Sequence, residues 1–123
     1  MNNVLFDTSF LCALHDENDP HCAAATEMFS SSGAHIIIPA IVMAEFLMGD
    51  VAGDRMIETC RQLCGSFLQT TERELVLIAS FPYPLRNKLK SNDCLILAHA
   101  IQHKAELYTF DNKLLKAYGE LQT

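Results

Sequence analysis

The chain has 123 residues, half of them hydrophobic and a fifth charged, the size and composition of a single globular domain over residues 1–123. Fifteen acidic against nine basic side chains leave a net charge of −6, which argues against a protein that grips nucleic acid by bulk electrostatics. The first residues show neither a basic start nor a long apolar stretch, and the most apolar run, Ile36 to Ala44, is far short of a membrane span; a cytoplasmic protein with no membrane association is expected.

Val4-Leu5-Phe6 is a continuous apolar run closed by Asp7-Thr8-Ser9, which predicts a buried strand ending in a helix-capping cluster. Phe10 to Leu14 starts a helix that the polar Asp16 to Pro20 interrupts. His21 to Phe29 predicts an Ala-rich helix ending in Ser30-Ser31-Ser32-Gly33. Ile36-Ile37-Ile38 is a second strand, stopped by Pro39. Without alternation of polarity it should be buried on both faces, as in a parallel sheet covered by helices. Helices over Ala40 to Met48 and Val51 to Cys64 are each followed by glycine.

Phe67 to Thr70 reads as a weak third strand, and Glu72 to Ser80 as a helix broken by Pro82-Tyr83-Pro84. Ser91 and Asn92 suit the cap of a helix from Asp93 to about His103. Leu107 to Phe110 forms a fourth strand ending at Asp111, and Asn112 to Tyr118 a short closing helix. Strands alternating with helices predict an α/β domain with a mostly parallel sheet.

Five cysteines at irregular spacings predict free thiols rather than a disulfide framework. Cys60 and Cys64 share a helix face, but no CxxC occurs and no second pair completes a zinc site; small buried hydrophobes are the expectation. His99 and His103 have i, i+4 spacing. No glutamate follows His99, so HExxH is absent, and half-exposed positions on the outer face of the helix are expected for both.

Four carboxylates carry the chemistry. Asp7, Asp93 and Asp111 stand where an apolar run meets a polar turn, and Glu45 interrupts an otherwise apolar helix. Each has an ordinary role open to it: Asp7 as a helix cap, Asp93 complementing a helix dipole, Asp111 in a turn. Buried singly, such acids lose their hydration at high cost. Gathered outside the carboxyl ends of neighbouring parallel strands, they suit a divalent cation with its preference for hard oxygen ligands. That points to metal-assisted phosphodiester chemistry. Arg86, Lys88 and Lys90, just before Asp93, either hold phosphates or form a solvated turn.

Val4-Leu5-Phe6-Asp7-Thr8-Ser9, Pro39 to Phe46, Asn92 to Ala98 and Leu107 to Asp111, in that order and spacing, resemble the PIN-domain family, in particular the ribonuclease toxins of VapBC-type toxin–antitoxin pairs. The resemblance implies a three-layer α/β/α sandwich with a short, mostly parallel sheet. It makes Asp7, Glu45, Asp93 and Asp111 a catalytic, metal-binding quartet for Mg²⁺ or Mn²⁺, with Asp7 and Asp93 the principal ligands. Thr8 or Ser9, and Thr109, match hydroxyls that orient the carboxylates or a bound water. An RNA substrate, a cognate antitoxin protein and a homodimer are further implications. The chain departs from the family pattern at its end, where the usual last edge strand is missing or vestigial, and at His99, in a segment commonly small or apolar.

Two other readings remain. An aspartyl-phosphate enzyme would need a second Asp two residues after Asp7, where Ser9 stands. A non-catalytic PIN-like module would bind RNA or a protein without cutting.

Overall fold

Val4, Leu5 and Phe6 are buried in succession because their strand, β1 (Asn3–Phe6), lies in the middle of a parallel sheet with neighbours on both edges. The structure, a computed structural model, describes residues 2–123. Its three strands run in the order β2 (His35–Ile37), β1, β3 (Glu106–Tyr108). Leu5 stands between Ile37 and Leu107, and Val4 between Ile36 and Glu106. The short apolar runs read from the sequence are therefore adjacent strands, and the fold is a three-layer α/β/α sandwich.

Among the described residues eight helices surround this sheet: α1 (Thr8–His15), α2 (Cys22–Ser32), α3 (Ala40–Leu47), α4 (Gly53–Cys64), α5 (Glu72–Ala79), the single turn α6 (Tyr83–Arg86), α7 (Ser91–Gln102) and α8 (Asn112–Leu121). None is long and apolar enough to cross a membrane. Aromatic rings fill the layer around β1. Phe6 packs on Phe10 at 4.5 Å and on Tyr108 at 5.9 Å, and Phe110 stacks on Phe10 at 5.8 Å. The five cysteines are free, as expected. Burial pushes the Cys60 thiol up to about 11, with Cys64 adding to the rise, so it stays protonated as a small core residue.

The structure corrects four expectations. The segment Phe67 to Thr70 makes only one parallel bridge, between Leu68 and Pro39. Leu68 donates to Ile38 O and accepts from Ala40 N, but Pro39 has no N–H and α3 begins directly after it, so no further backbone is left to pair. Helix α2 continues past Phe29 through the three serines, because Ser31 and Ser32 turn their hydroxyls back onto Glu27 O and Phe29 O. It stops at Gly33, whose φ of 55° is the left-handed cap conformation.

Helix α7 starts two residues earlier than predicted, at Ser91 rather than Asp93. Lys90 occupies the cap position, and Ser91 and Asn92 fall in the first turn. Asp93 reaches back to the Lys90 N–H at 3.3 Å, which supplies the terminus without a serine or asparagine cap. The fourth correction is His99, which is 1 % exposed rather than half-exposed. Cys94, Ile96, Leu97, Ala98 and Ala100 are buried with it, so this stretch of α7 has little outer face. His103, at the end of the helix, is half-buried as expected, and its carbonyl accepts from Asn3 Nδ2 at 2.9 Å. No strand follows β3 among the described residues; α8 occupies that stretch to Leu121.

Candidate active site

Parallel strands all end at one edge of the sheet, and the residues just beyond them share the space outside. Asp7 follows β1 directly and Thr109 follows β3. The strands are neighbours, so the Asp7 N–H reaches Tyr108 O at 3.2 Å and the two exits are locked side by side. Asp7 also caps α1, its Oδ1 accepting from Phe10 N at 2.9 Å and from Ser9 Oγ at 2.8 Å. Its Oδ2 accepts from Thr109 Oγ1 at 2.5 Å. The same Thr109 hydroxyl accepts from Asp111 N at 3.0 Å, and Ser9 Oγ accepts from Phe110 N at 2.9 Å.

This network fixes one rotamer of a carboxylate that is 4 % exposed. Burial pushes the Asp7 carboxyl above its ordinary value; the bonds from Thr109, Phe10 N–H and Ser9 oppose the rise without cancelling it, and the charge of Asp111 adds to it. Asp111 caps α8, with Oδ1 accepting from Lys113 N at 3.0 Å and Leu114 N at 3.2 Å. Helix capping and site formation are thus compatible roles for Asp7 and Asp111.

Glu45 is half-buried on α3, which is otherwise apolar, and its Oε1 accepts from Thr8 Oγ1 at 2.8 Å. Thr8, Ser9 and Thr109 each donate to a carboxylate, Thr8 to Glu45 and the other two to Asp7. Asp93 stands apart from this network. It is half-buried at the start of α7, and its described hydrogen bond goes to the Lys90 N–H. The residue before it, Asn92, lines with Glu45 an open cleft of about 310 Å³ whose other walls are Ile41, Ala44 and Met48. Glu45 and the first turn of α7 thus border common space.

The donor chemistry fits a hard cation. Asp7 Oδ1 already accepts two hydrogen bonds, leaving the second lone pair of Oδ2 for an ion. Glu45 Oε2, Asp93 Oδ1 and Asp111 Oδ2 have no described hydrogen-bond donor. As the side chains stand, no group of three or more His, Cys, Asp and Glu among the described residues forms a ready metal site.

The three basic residues of the α6–α7 segment diverge. Arg86 donates from Nε to Phe81 O at 3.1 Å and lies 5.7 Å over the Tyr83 ring, so it is engaged within its own segment. Lys88 instead lines a cavity with Lys113 and Lys116 of α8, two lysines that sequence reasoning left out of the site. Lys90 is exposed beside Asp93. Sequence reasoning also missed a polar cluster in the interior. His99 Nε2 is 3.0 Å from Thr70 Oγ1, and its Nδ1 lies 4.0 Å from Glu74 Oε1 with no hydrogen-bond partner. Glu74 was discoverable, because Thr71-Glu72-Arg73-Glu74 has capping-box spacing.

Residues 4–120 match the family model described as PIN domain. No curated protein matches the chain.

Proposed function

The chain belongs to the PIN-domain family, and from that premise we propose that it is a divalent-metal-dependent endoribonuclease acting as the toxin of a VapBC-type pair. PIN domains are generally metal-dependent nucleases. The observation that carries the reading to this chain is Asp7: a buried carboxylate, raised above its ordinary value, linked through Thr109 to Asp111 and adjacent to the Thr8–Glu45 bond.

In this reading Asp7 and Asp93 are the principal ligands of Mg²⁺ or Mn²⁺, and Glu45 and Asp111 complete the set. The ion would offset the acids' mutual repulsion, lower the pKa of a bound water and stabilise charge on the scissile phosphate. Ser9 and the Phe10 N–H hold Asp7 Oδ1, Thr109 holds its Oδ2, and Thr8 holds Glu45. Hydrolysis by in-line attack of water leaves a 5′-phosphate and a 3′-hydroxyl.

Cleavage of a mixed panel of structured RNAs in Mg²⁺, Mn²⁺ or EDTA tests the reading, with metal-dependent cutting the expected result. Binding should also be visible without substrate. Mg²⁺ is expected to raise the melting temperature, and Asp93→Asn to remove most of that gain. A melting temperature indifferent to Mg²⁺ would count against the site.

The cleft beside Glu45 supports a protein partner. Met48 is 86 % exposed there, next to Ile41 and Ala44. An antitoxin segment offering an apolar side chain and an arginine would cover the first and pair with Glu45. Expression with a cognate antitoxin should yield a co-purifying complex, and the free toxin is expected to be a homodimer by light scattering. Five free thiols accord with the reducing cytoplasm. A second reading, a PIN-like module that binds RNA or protein without cutting, is favoured by the separation of Asp93 from the Asp7–Thr109–Asp111 network. No cleavage in any metal, with no heat on magnesium titration, would select it.

A further inference from the structure

Three of the chain's five lysines meet at one place although the protein carries a net charge of −6. Lys88 approaches from the segment after α6, and Lys113 and Lys116 lie on one face of α8 at i, i+3 spacing. Together they line a cavity of about 140 Å³ floored by Leu85 and Leu89, with Glu120 the one acid among its lining residues. None of the three lysines is within ion-pair distance of a carboxylate among the described residues, in contrast to Arg61, which pairs with Glu58 at 2.7 Å. Three lysines lining one cavity without an ion-pair partner make it locally positive, which favours an anion there.

The cavity's position selects the anion. Lys113 is two residues beyond Asp111, to whose carboxylate its N–H donates, and Lys88 is two residues before the residue that caps α7, the helix of Asp93. The cavity therefore borders the helix starts that carry two of the four acids. A polyanionic strand approaching those acids meets like charge, so it needs a cationic hold close by but outside them. We propose that Lys88, Lys113 and Lys116 form a backbone-phosphate subsite that holds the RNA strand beside the acidic centre, with Leu85 and Leu89 packing against the adjoining sugar. This deepens the ribonuclease reading and rests on it for the identity of the ligand.

The test is binding, not turnover. A fluorescein-labelled twelve-nucleotide oligouridylate is titrated in EDTA, and anisotropy is followed across a salt series. Lys113→Ala/Lys116→Ala is expected to weaken binding about tenfold and to reduce the slope of log affinity against log salt by about 1.4, some 0.7 for each phosphate left without its lysine. Arg55→Ala/Arg73→Ala, which removes the same charge from exposed positions on α4 and α5, should change affinity and slope far less. Lys88→Ala should follow the lysine pair at half the effect. All five side chains are exposed, so melting curves near wild type accompany each comparison.

Equal losses in the two double variants would overturn the subsite, since net charge alone would then explain them. So would displacement of the RNA by polyglutamate as effective as by unlabelled oligouridylate, which would make an acidic polypeptide the ligand, or a wild-type protein that binds no RNA. The two readings fail separately. Metal-dependent cleavage with lysine variants that bind normally sinks the subsite alone; lysine-dependent binding without cleavage in any metal sinks the nuclease and leaves the subsite.

Discussion

Asp7→Asn is expected to reduce metal-dependent RNA cleavage at least about a hundredfold while raising the melting temperature of the metal-free protein. Altering groups that merely orient metal ligands costs about 10- to 100-fold, and Asp7 is read as a ligand itself. The stability effect follows from the same burial. A group whose folded pKa is raised contributes stability below its unfolded value, here 3.8, and loses it as pH rises through the folded value. Above its folded value Asp7 is therefore ionised at a net cost. Asparagine keeps the acceptor for Phe10 N–H and Ser9 and discards the charge.

Relief of such functional strain is commonly worth about 1 kcal/mol, which is about 3–5 °C for a domain of this size. Melting curves in EDTA at pH 7 check it, and the advantage should shrink toward pH 4. Cleavage unaffected by the substitution would remove Asp7 from the active site. A lower melting temperature would show that the Thr109 bond outweighs the cost of burying the charge.

Glu74→Ala is expected to be the more damaging substitution although it lies away from the acids. Glu74 is 3 % exposed; its Oε1 accepts from Thr71 N at 2.6 Å and so starts α5. Burial alone would raise its carboxyl, but the Thr71 bonds, the nearby His99 and Gln102 together hold it below its ordinary value. Alanine orphans the Thr71 N–H, opens a gap between α5 and α7, and leaves His99 Nδ1 with no carboxylate nearby. Loss of the cap and of the buried network sums to about 2–4 kcal/mol, or a melting temperature lower by about 10 °C.

The same pair sets a pH dependence. Burial lowers the His99 pKa below 6.5, with Glu74 opposing and His103 assisting. Its contribution is then intact above pH 6.5 and is lost as pH falls below it; the contribution of Glu74 is intact above 4.5 and is lost as pH falls through its lower folded value. Melting temperature should therefore decline from about pH 6.5 downward, and His99→Gln should flatten the upper part of that decline. A wild-type curve level from pH 7.5 to 5 would rule out His99 as its cause.

Much of the molecule was legible because its signals are local. Val4 to Phe6 and Ile36 to Ile38 lack polar alternation, which requires a sheet covered on both faces, and Asp7 and Asp111 mark where chain leaves that sheet. The strand ends alone therefore bring Asp7, Thr109 and Asp111 to one edge. The misreadings arose where a distant residue decides the outcome. Phe67 to Thr70 has strand-like composition, but its partner segment ends at Pro39. His99 is a polar residue type, yet Ile96, Leu97, Ala98 and Ala100 around it leave the helix nothing to expose, and its companions Thr70 and Glu74 come from other parts of the chain. Lys113 and Lys116 show their spacing openly; only the fold brings Lys88 to them.

The middle place of β1 in the sheet also bears on how the protein is made. Strand β1 finds β2 after some thirty residues, but its other edge stays bare until Glu106 to Tyr108 arrive. Thr109 is 102 residues from the carboxylate it holds. Contacts of such long range are the slow ones in folding. A nascent chain thus carries Asp7 and Glu45 through the making of α3 to α7 with neither Thr109 nor Asp111 in place. The sheet edge beyond Asp7 is completed only once β3 has been made, so a product truncated before Glu106 is expected to lack both the β1–β3 pairing and the Thr109–Asp7 bond.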